Sequence, residues 1–242
     1  MRIWTLITVR RRKIEVRFWI VIGIGILAGL VAPLRSQQML SAPPPTVTFV
    51  LDFPQSNPEH YSISVDESGH ARYECSGEVA QDSEPQSYQA EFDLSAASRE
   101  KIFDWTKQAR FFSGNVDSKN GKLAFTGAKV LSYQDGQRSY TARYNYSSLA
   151  PVKQLTTFFQ DLAATLEYGR RLAYDQRYEK LALDAELKQM ESQAKNGELS
   201  EIESVAPILQ EILGDPSLLN GVRARAKQLL EGAGSASVTT RH

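Results

Sequence analysis

Residues 88–112 read YQAEFDLSAASREKIFDWTKQARFF, and a change of period inside this stretch decides the fold class. Tyr88, Ala90, Phe92 and Leu94 alternate with Gln89, Glu91 and Asp93, the pattern of a strand with one face turned to a core. From Ser95 onward Ile102, Trp105, Ala109 and Phe112 recur at spacings of three and four, the stripe of a helix lying on a core. Ser95 is a helix N-cap, because its hydroxyl can accept from an otherwise unpaired amide of the first turn. Gly114 and the polar run Asn115 to Lys122 are expected to end the helix.

Upstream, the period-2 pattern is already established. Val47, Phe49, Leu51 and Phe53 describe a first strand. Tyr61, Ile63 and Val65 share a face of a second, Asp66 to Gly69 supplies a turn, and Ala71, Tyr73 and Cys75 return on the inner face. Downstream the scheme recurs. A strand around Phe125 to Tyr133 turns at Asp135-Gly136 and returns with Tyr140, Ala142, Tyr144 and Tyr146 on one face. Ser147 and Ser148 then introduce a helix with Pro151 in its first turn and Val152, Leu155, Phe159, Leu162 and Leu166 as its buried stripe. The expected fold is α+β: an antiparallel sheet over 46–167 from two hairpin-helix units, with helices on one face.

Residues 168–231 read as a helical region ending in a helical hairpin. Tyr178, Leu181, Leu187 and Met190 mark one or two helices, with a break at Ala182 to Asp184. Ile202, Val205, Leu209 and Ile212 line a helix over 200–213, and Gly214 ends it. Asp215-Pro216 is read as the start of the last helix, lined by Val222, Ala226, Leu229 and Leu230. The tail 232–242 is expected to be disordered by composition.

The N-terminal end obeys different rules. Phe18 to Leu34 is a run of seventeen residues without a charge, preceded by a basic region over 1–17 that holds Arg10, Arg11, Arg12, Lys13 and Arg17. Such a segment enters a membrane with its N-terminus kept in the cytoplasm. Its length is near the minimum for a hydrocarbon core of about 30 Å and somewhat beyond a usual signal-peptide core. A small-x-small cleavage site is not evident, so retention as a signal anchor is preferred to cleavage. Either way the body is expected on the periplasmic side of an inner membrane, joined to the segment by a proline-rich linker over 35–45. Gly25 and Gly29 form a GxxxG, a close-packing motif that would support a homodimer.

Charge narrows the partners. Residues 1–35 carry seven of the 28 basic residues and one of the 28 acidic residues, which leaves the rest at a net −6. A body of that sign lacks the basic footprint of a nucleic-acid binder. The single cysteine, Cys75, permits neither an intrachain disulfide nor a cysteine metal cage, and reads as a small buried residue.

Catalytic patterns are scarce. His60 and His70 could meet across the hairpin and share a metal, but no third ligand is apparent and two surface histidines are the simpler reading. Gly114 to Lys122 imitates a phosphate loop, yet its spacer is too long and Leu123 stands where a magnesium-holding hydroxyl is needed. Asn115, Asp117 and Lys119 fail as a calcium loop, and no Gly-x-Ser-x-Gly elbow occurs. Asn145-Tyr146-Ser147 matches a glycosylation sequon. No cofactor is implied. The surface candidate is the alternating set Tyr140, Tyr144 and Tyr146, an aromatic platform if that face looks away from the helices and core if it looks inward. Core is preferred, since two helices need a face to cover.

Tyr61-Ser62-Ile63, then Ser68-Gly69-His70-Ala71-Arg72-Tyr73, Phe92, Phe103 and Phe111, followed by Lys129-Val130-Leu131, Asp135-Gly136 and Tyr144, resemble a group of exported bacterial domains of unknown function. The resemblance covers about 46–165 and rests on core and turn residues. It implies an α+β fold and a bacterial cell-envelope location, and it brings no catalytic residues. The leading functional expectation is a non-enzymatic protein-interaction module that binds another envelope protein. The alternatives are an envelope structural protein dimerising through Gly25 and Gly29, and a small-ligand binder or enzyme assembled from His60, His70, Asp52 and Tyr73.

Overall fold

The computed structural model of the chain describes residues 43–54, 56–80 and 83–239, with 234–239 as backbone. The apolar segment Phe18–Leu34, its Gly25 and Gly29, and most of the linker lie outside the described residues, and none of the described helices is long and apolar enough to cross a membrane. The described residues belong to one compact unit.

The fold is α+β, with a six-stranded antiparallel sheet and five α-helices among the described residues. The strands are β1 (Thr46–Asp52), β2 (His60–Asp66), β3 (His70–Gly77), β4 (Gln86–Asp93), β5 (Ala128–Gln134) and β6 (Ser139–Tyr144). Their order is β4-β3-β2-β1-β5-β6. The first unit is therefore not a hairpin plus helix but a four-strand meander followed by α1 (Ala96–Gln108). After α1 the chain returns to the opposite side of β1 and adds the β5–β6 hairpin there. Local periodicity is blind to this choice, because either strand neighbour of β1 satisfies the same alternation.

Alternation sets the two faces. Val47, Phe49 and Leu51 of β1 and Tyr61, Ile63 and Val65 of β2 are buried, while the intervening residues are partly exposed. The outer face carries polar pairs such as Arg72–Glu74 at 2.6 Å and Ser132–Thr141 at 3.0 Å. One wetted face is normal for an antiparallel sheet. On the buried face Phe49 stacks on Phe159 with centroids 5.4 Å apart. Full burial of such a side chain contributes about 1.5–3 kcal/mol.

Helix α2 (Ala150–Tyr178) starts with proline in its first turn, as the sequence predicts, and buries Val152, Leu155, Phe159, Leu162 and Leu166. At 29 residues it is about 43 Å long, against about 24 Å across six strands. It passes from β6, where Tyr144 meets Thr156, to β3, where Tyr73 meets Glu167, and then continues to Tyr178. It thus runs straight through 167/168, where the sequence reading ends the sheet domain. The overhang needs cover, and α3 (Leu183–Asn196) and α4 (Ala206–Gly214) supply it by packing on α2, with α5 (Asn220–Thr239) packed on both. At the closest approach, a Cβ on Gly169 would stand 2.5 Å from Val205 Cγ1.

Several boundaries differ from the sequence expectation. β5 begins at Ala128, set by Gly127 at φ 96°, and Phe125 before it is exposed. Tyr178 and Leu181 are exposed, Leu181 at 95%, because they fall at the end of α2 and in the turn before α3 rather than on a buried stripe. Asp215 and Pro216 lie in the turn, so α5 starts at Asn220, and it continues through Gly232 to Thr239 where composition predicts disorder.

Candidate functional site

Helix α1 opens as its sequence demands: the Ser95 hydroxyl accepts from the Ser98 amide at 3.2 Å. Its end is different. Gly114 does not stop it. The helix closes at Gln108, and Arg110, Phe111 and Phe112 follow in a 3-10 turn with φ of 52°, 55° and 66°. Left-handed backbone costs a side-chain-bearing residue about 1–2 kcal/mol, so three in succession must be held by their surroundings. Phe112, 2% exposed, is driven into the core, and Phe111 packs half-buried against its rim.

Phe111 there meets the β5–β6 hairpin. Its ring lies 4.7 Å from that of Tyr133, and the Arg138 guanidinium sits 4.1 Å above it. Asp135 organises the stack. Its Oδ1 accepts from the amides of Gln137 and Arg138 at 2.8 and 2.6 Å, and its Oδ2 accepts from Arg138 Nε and the Tyr133 hydroxyl, both at 2.9 Å. The Gln137 amide foremost, with these other donors, holds the Asp135 carboxyl down to about 2. Burial, followed by the bond to Asp135, pushes the Tyr133 phenol up.

This stack walls a cleft of about 550 Å³ between α1 and the hairpin. Phe103 and Phe111 give it apolar walls, Arg99, Lys107 and Arg138 cations, and Pro45, the last residue of the predicted linker, one rim. The Glu67 amide donates to the Pro45 carbonyl at 2.9 Å, fixing the chain there. Aromatic rings beside a held guanidinium, with both charge signs at the rim, are the composition of protein-binding hot spots.

The predicted tyrosines do not form one platform. Tyr144 is 5% exposed and its hydroxyl pairs with Thr156 at 2.6 Å, so the middle ring belongs to the core. Tyr146 is exposed beyond the end of β6. Tyr140 is exposed too, and it pairs in register with Tyr133, which brings it to the hairpin that walls the cleft. Tyr140 faces inward like Tyr144 but lies where the cover thins out.

His60 and His70 do not meet. They start β2 and β3, and in register His60 is opposite Ser76, about 20 Å along the strand from His70. His60 pairs with Asp52, and His70 with Asp93 at 3.2 Å, all on exposed ground. Tyr73 is in the core. Among the described residues no group of three metal-ligating side chains comes together.

Cys75 is buried, as expected, but it has charged neighbours that periodicity did not show. Tyr73 Oη donates to Glu167 Oε1 at 2.7 Å and Cys75 Sγ to the same oxygen at 3.3 Å. Arg170 Nη1 donates to Cys75 Sγ at 3.0 Å and Nη2 to the Gly77 carbonyl at 2.9 Å. Glu167 and Arg170, 3.7 Å apart, are each at least nine-tenths buried. Burial, and after it Glu167, pushes the thiol up to about 11, the opposite of a nucleophile's environment. The cluster bolts α2 to β3, one strand in from the edge of the sheet. Its signal in the sequence is Arg170, a charge where the stripe Leu155, Phe159, Leu162, Leu166 calls for an apolar residue. The cleft left no such signal: Phe111 and Arg138 are 27 positions apart.

No protein-family model matches the chain, and no curated protein does.

Proposed function

We propose that this chain is a non-enzymatic interaction module of the bacterial cell envelope, carried on the extracytoplasmic side of the inner membrane by Phe18–Leu34, and that the cleft between α1 and the β5–β6 hairpin takes a segment of another envelope protein. The supporting observation is the Phe111–Arg138–Tyr133 stack on three successive left-handed residues. Backbone strain at an open, aromatic-walled cleft indicates a surface held in shape for contact. A fold needing only to bury Phe112 has cheaper turns available, with glycine at the left-handed positions.

The opposed charges Arg99 and Lys107 against Glu100 and Asp104 along α1 favour a polypeptide of mixed charge over a polyanion. Scattered His60, His70, Asp52 and Tyr73 weigh against the small-ligand or enzyme alternative.

A photo-crosslinking residue placed at Lys107 in the full-length protein, in intact membranes, tests the proposal. One envelope protein should be captured from Lys107, absent from a control at Arg143 on the exposed sheet face, and lost with Arg138→Glu. Equal capture from both positions would refute the cleft. Capture of a second copy alone would replace the adaptor with a self-associating structural protein.

A further inference from the structure

The sheet ends in two edge strands, β4 and β6, and they are not alike. β6 has six residues, and just past it the Tyr146 carbonyl accepts from the Ser118 amide at 2.8 Å. β4 has eight residues in unbroken register with β3, and among the described residues no strand pairs with its other side. Gln86–Asp93 holds no proline, glycine, lysine or bulge, the devices that keep a sheet edge from pairing. Its inward side chains Tyr88, Ala90 and Phe92 are only half-buried, whereas Cys75, Tyr73 and Ala71 opposite them on β3 are buried.

The free main-chain groups can be assigned from the ladder. The Leu94 amide donates to the Gly69 carbonyl at 3.0 Å, so the even positions of β4 turn their amides and carbonyls toward β3. Those of Ser87, Gln89, Glu91 and Asp93 turn outward, and their side chains lie on the wetted face. Two of these four are acids, so an added strand must not set further acids against them.

A second β4, antiparallel about a two-fold axis through Ala90, meets that demand. Glu91 of one copy then faces Gln89 of the other, and Asp93 faces Ser87. On the inner side Tyr88 faces Phe92 twice, and Ala90 faces itself, all as non-hydrogen-bonded pairs with Cα atoms about 4.5 Å apart. An axis through Glu91 would set two acids face to face, and one through Gln89 would pair Phe92 with Gln86. Charge and side-chain size therefore select the same register.

We infer that β4 pairs with β4 of a second copy of this chain about Ala90, continuing the sheet across the two-fold. The four outward residues of each copy exchange about eight ladder bonds, and the aromatic pairs cover the half-exposed inner face. One strand pair is small beside the about 1,200–2,000 Å² of a stable interface, so association depends on protein concentration. β4 lies at the end of the sheet opposite the β5–β6 hairpin, and neither this reading nor that of the cleft depends on the other.

Disulfide trapping of the full-length protein in intact membranes, in a Cys75→Ala background, tests the inference. Ala90→Cys should give a linked dimer, because a non-hydrogen-bonded pair holds its Cα atoms within disulfide range. Gln89→Cys, off the axis, and Arg143→Cys on β6 should each give at least about fivefold less. If Ala90→Cys does not fold, Tyr88→Cys mixed with Phe92→Cys carries the test: the two should link to each other and neither to itself. Gln89→Pro removes an outward amide without touching the ladder to β3, and it should abolish the crosslink. Gln89→Lys, set against Glu91 of the other copy, should raise the yield, and Gln89→Glu should lower it. A yield from Ala90→Cys no greater than from Arg143→Cys, or unchanged by Gln89→Pro, would overturn the inference. So would stronger self-linking of Gln89→Cys, or capture at Ala90→Cys of a different protein in place of a second copy.

Discussion

Replacing Glu167 by leucine should be among the most damaging single changes in this protein. The substitution leaves the Arg170 guanidinium, 5% exposed, with only the Cys75 sulfur and the Gly77 carbonyl, and it strips the buried Tyr73 hydroxyl of its acceptor. Breaking a buried pair from one side costs about 3–5 kcal/mol, because a charge is left uncompensated. Arg170→Met is milder, about 2–3 kcal/mol, since Glu167 keeps the Tyr73 and Cys75 donors. The double variant carries no buried charge and retains one orphaned hydroxyl, a loss of about 1–3 kcal/mol. The two losses should therefore fall short of additivity by at least about 2 kcal/mol. Urea unfolding of the full-length protein in detergent, followed by far-ultraviolet circular dichroism, measures all four corners of the cycle, provided the slope with urea is unchanged. Additivity within about 0.5 kcal/mol would refute the view that Glu167 and Arg170 act as a compensated pair.

The Cys75 thiol, pushed up to about 11, makes stability depend on alkaline pH. An unfolded thiol ionises near about 8.5, so its contribution is whole below that pH and is lost as pH rises through about 11. Subtracting the profile of Cys75→Ala from that of the wild type should leave a downward slope in this window, and a flat difference would contradict the assignment. Gly169→Ala should destabilise by about 1–3 kcal/mol despite the better helix propensity of alanine, because its Cβ would stand 2.5 Å from Val205 Cγ1. Adding Val205→Ala should recover most of that loss, and thermal melts of the three variants would show whether it does. Arg110→Gly should raise stability by about 1 kcal/mol, since an arginine now holds φ at 52°. A lower melting temperature would mean that the arginine side chain, not the backbone, governs the turn.

Much of the fold was legible in the chain itself. The alternation at Val47, Ile63 and Tyr73 and the stripe from Val152 to Leu166 name residues that are buried. The Ser95 cap, the Asp66 to Gly69 turn and the Pro151 start were equally readable, because each is a contact within a few residues. The candidate cleft was not. Phe111 belongs to no stripe, and its approach to Tyr133 and Arg138 follows from a left-handed turn made without glycine.

The residues alone determined which positions of β1, β2, β3 and the first half of α2 face inward, since period and capping are local properties of the backbone. They also marked the apolar N-terminal run by its lack of charge. Only tertiary structure decided that β5 joins β1 from the side opposite β2, that α2 outruns the sheet and must be covered by α3, α4 and α5, and that Tyr144 is core while Tyr140 on the same strand is exposed. It also decided that Glu167 and Arg170 close over Cys75. Those outcomes depend on which surfaces meet across tens of residues, and no periodicity within one segment encodes its partner.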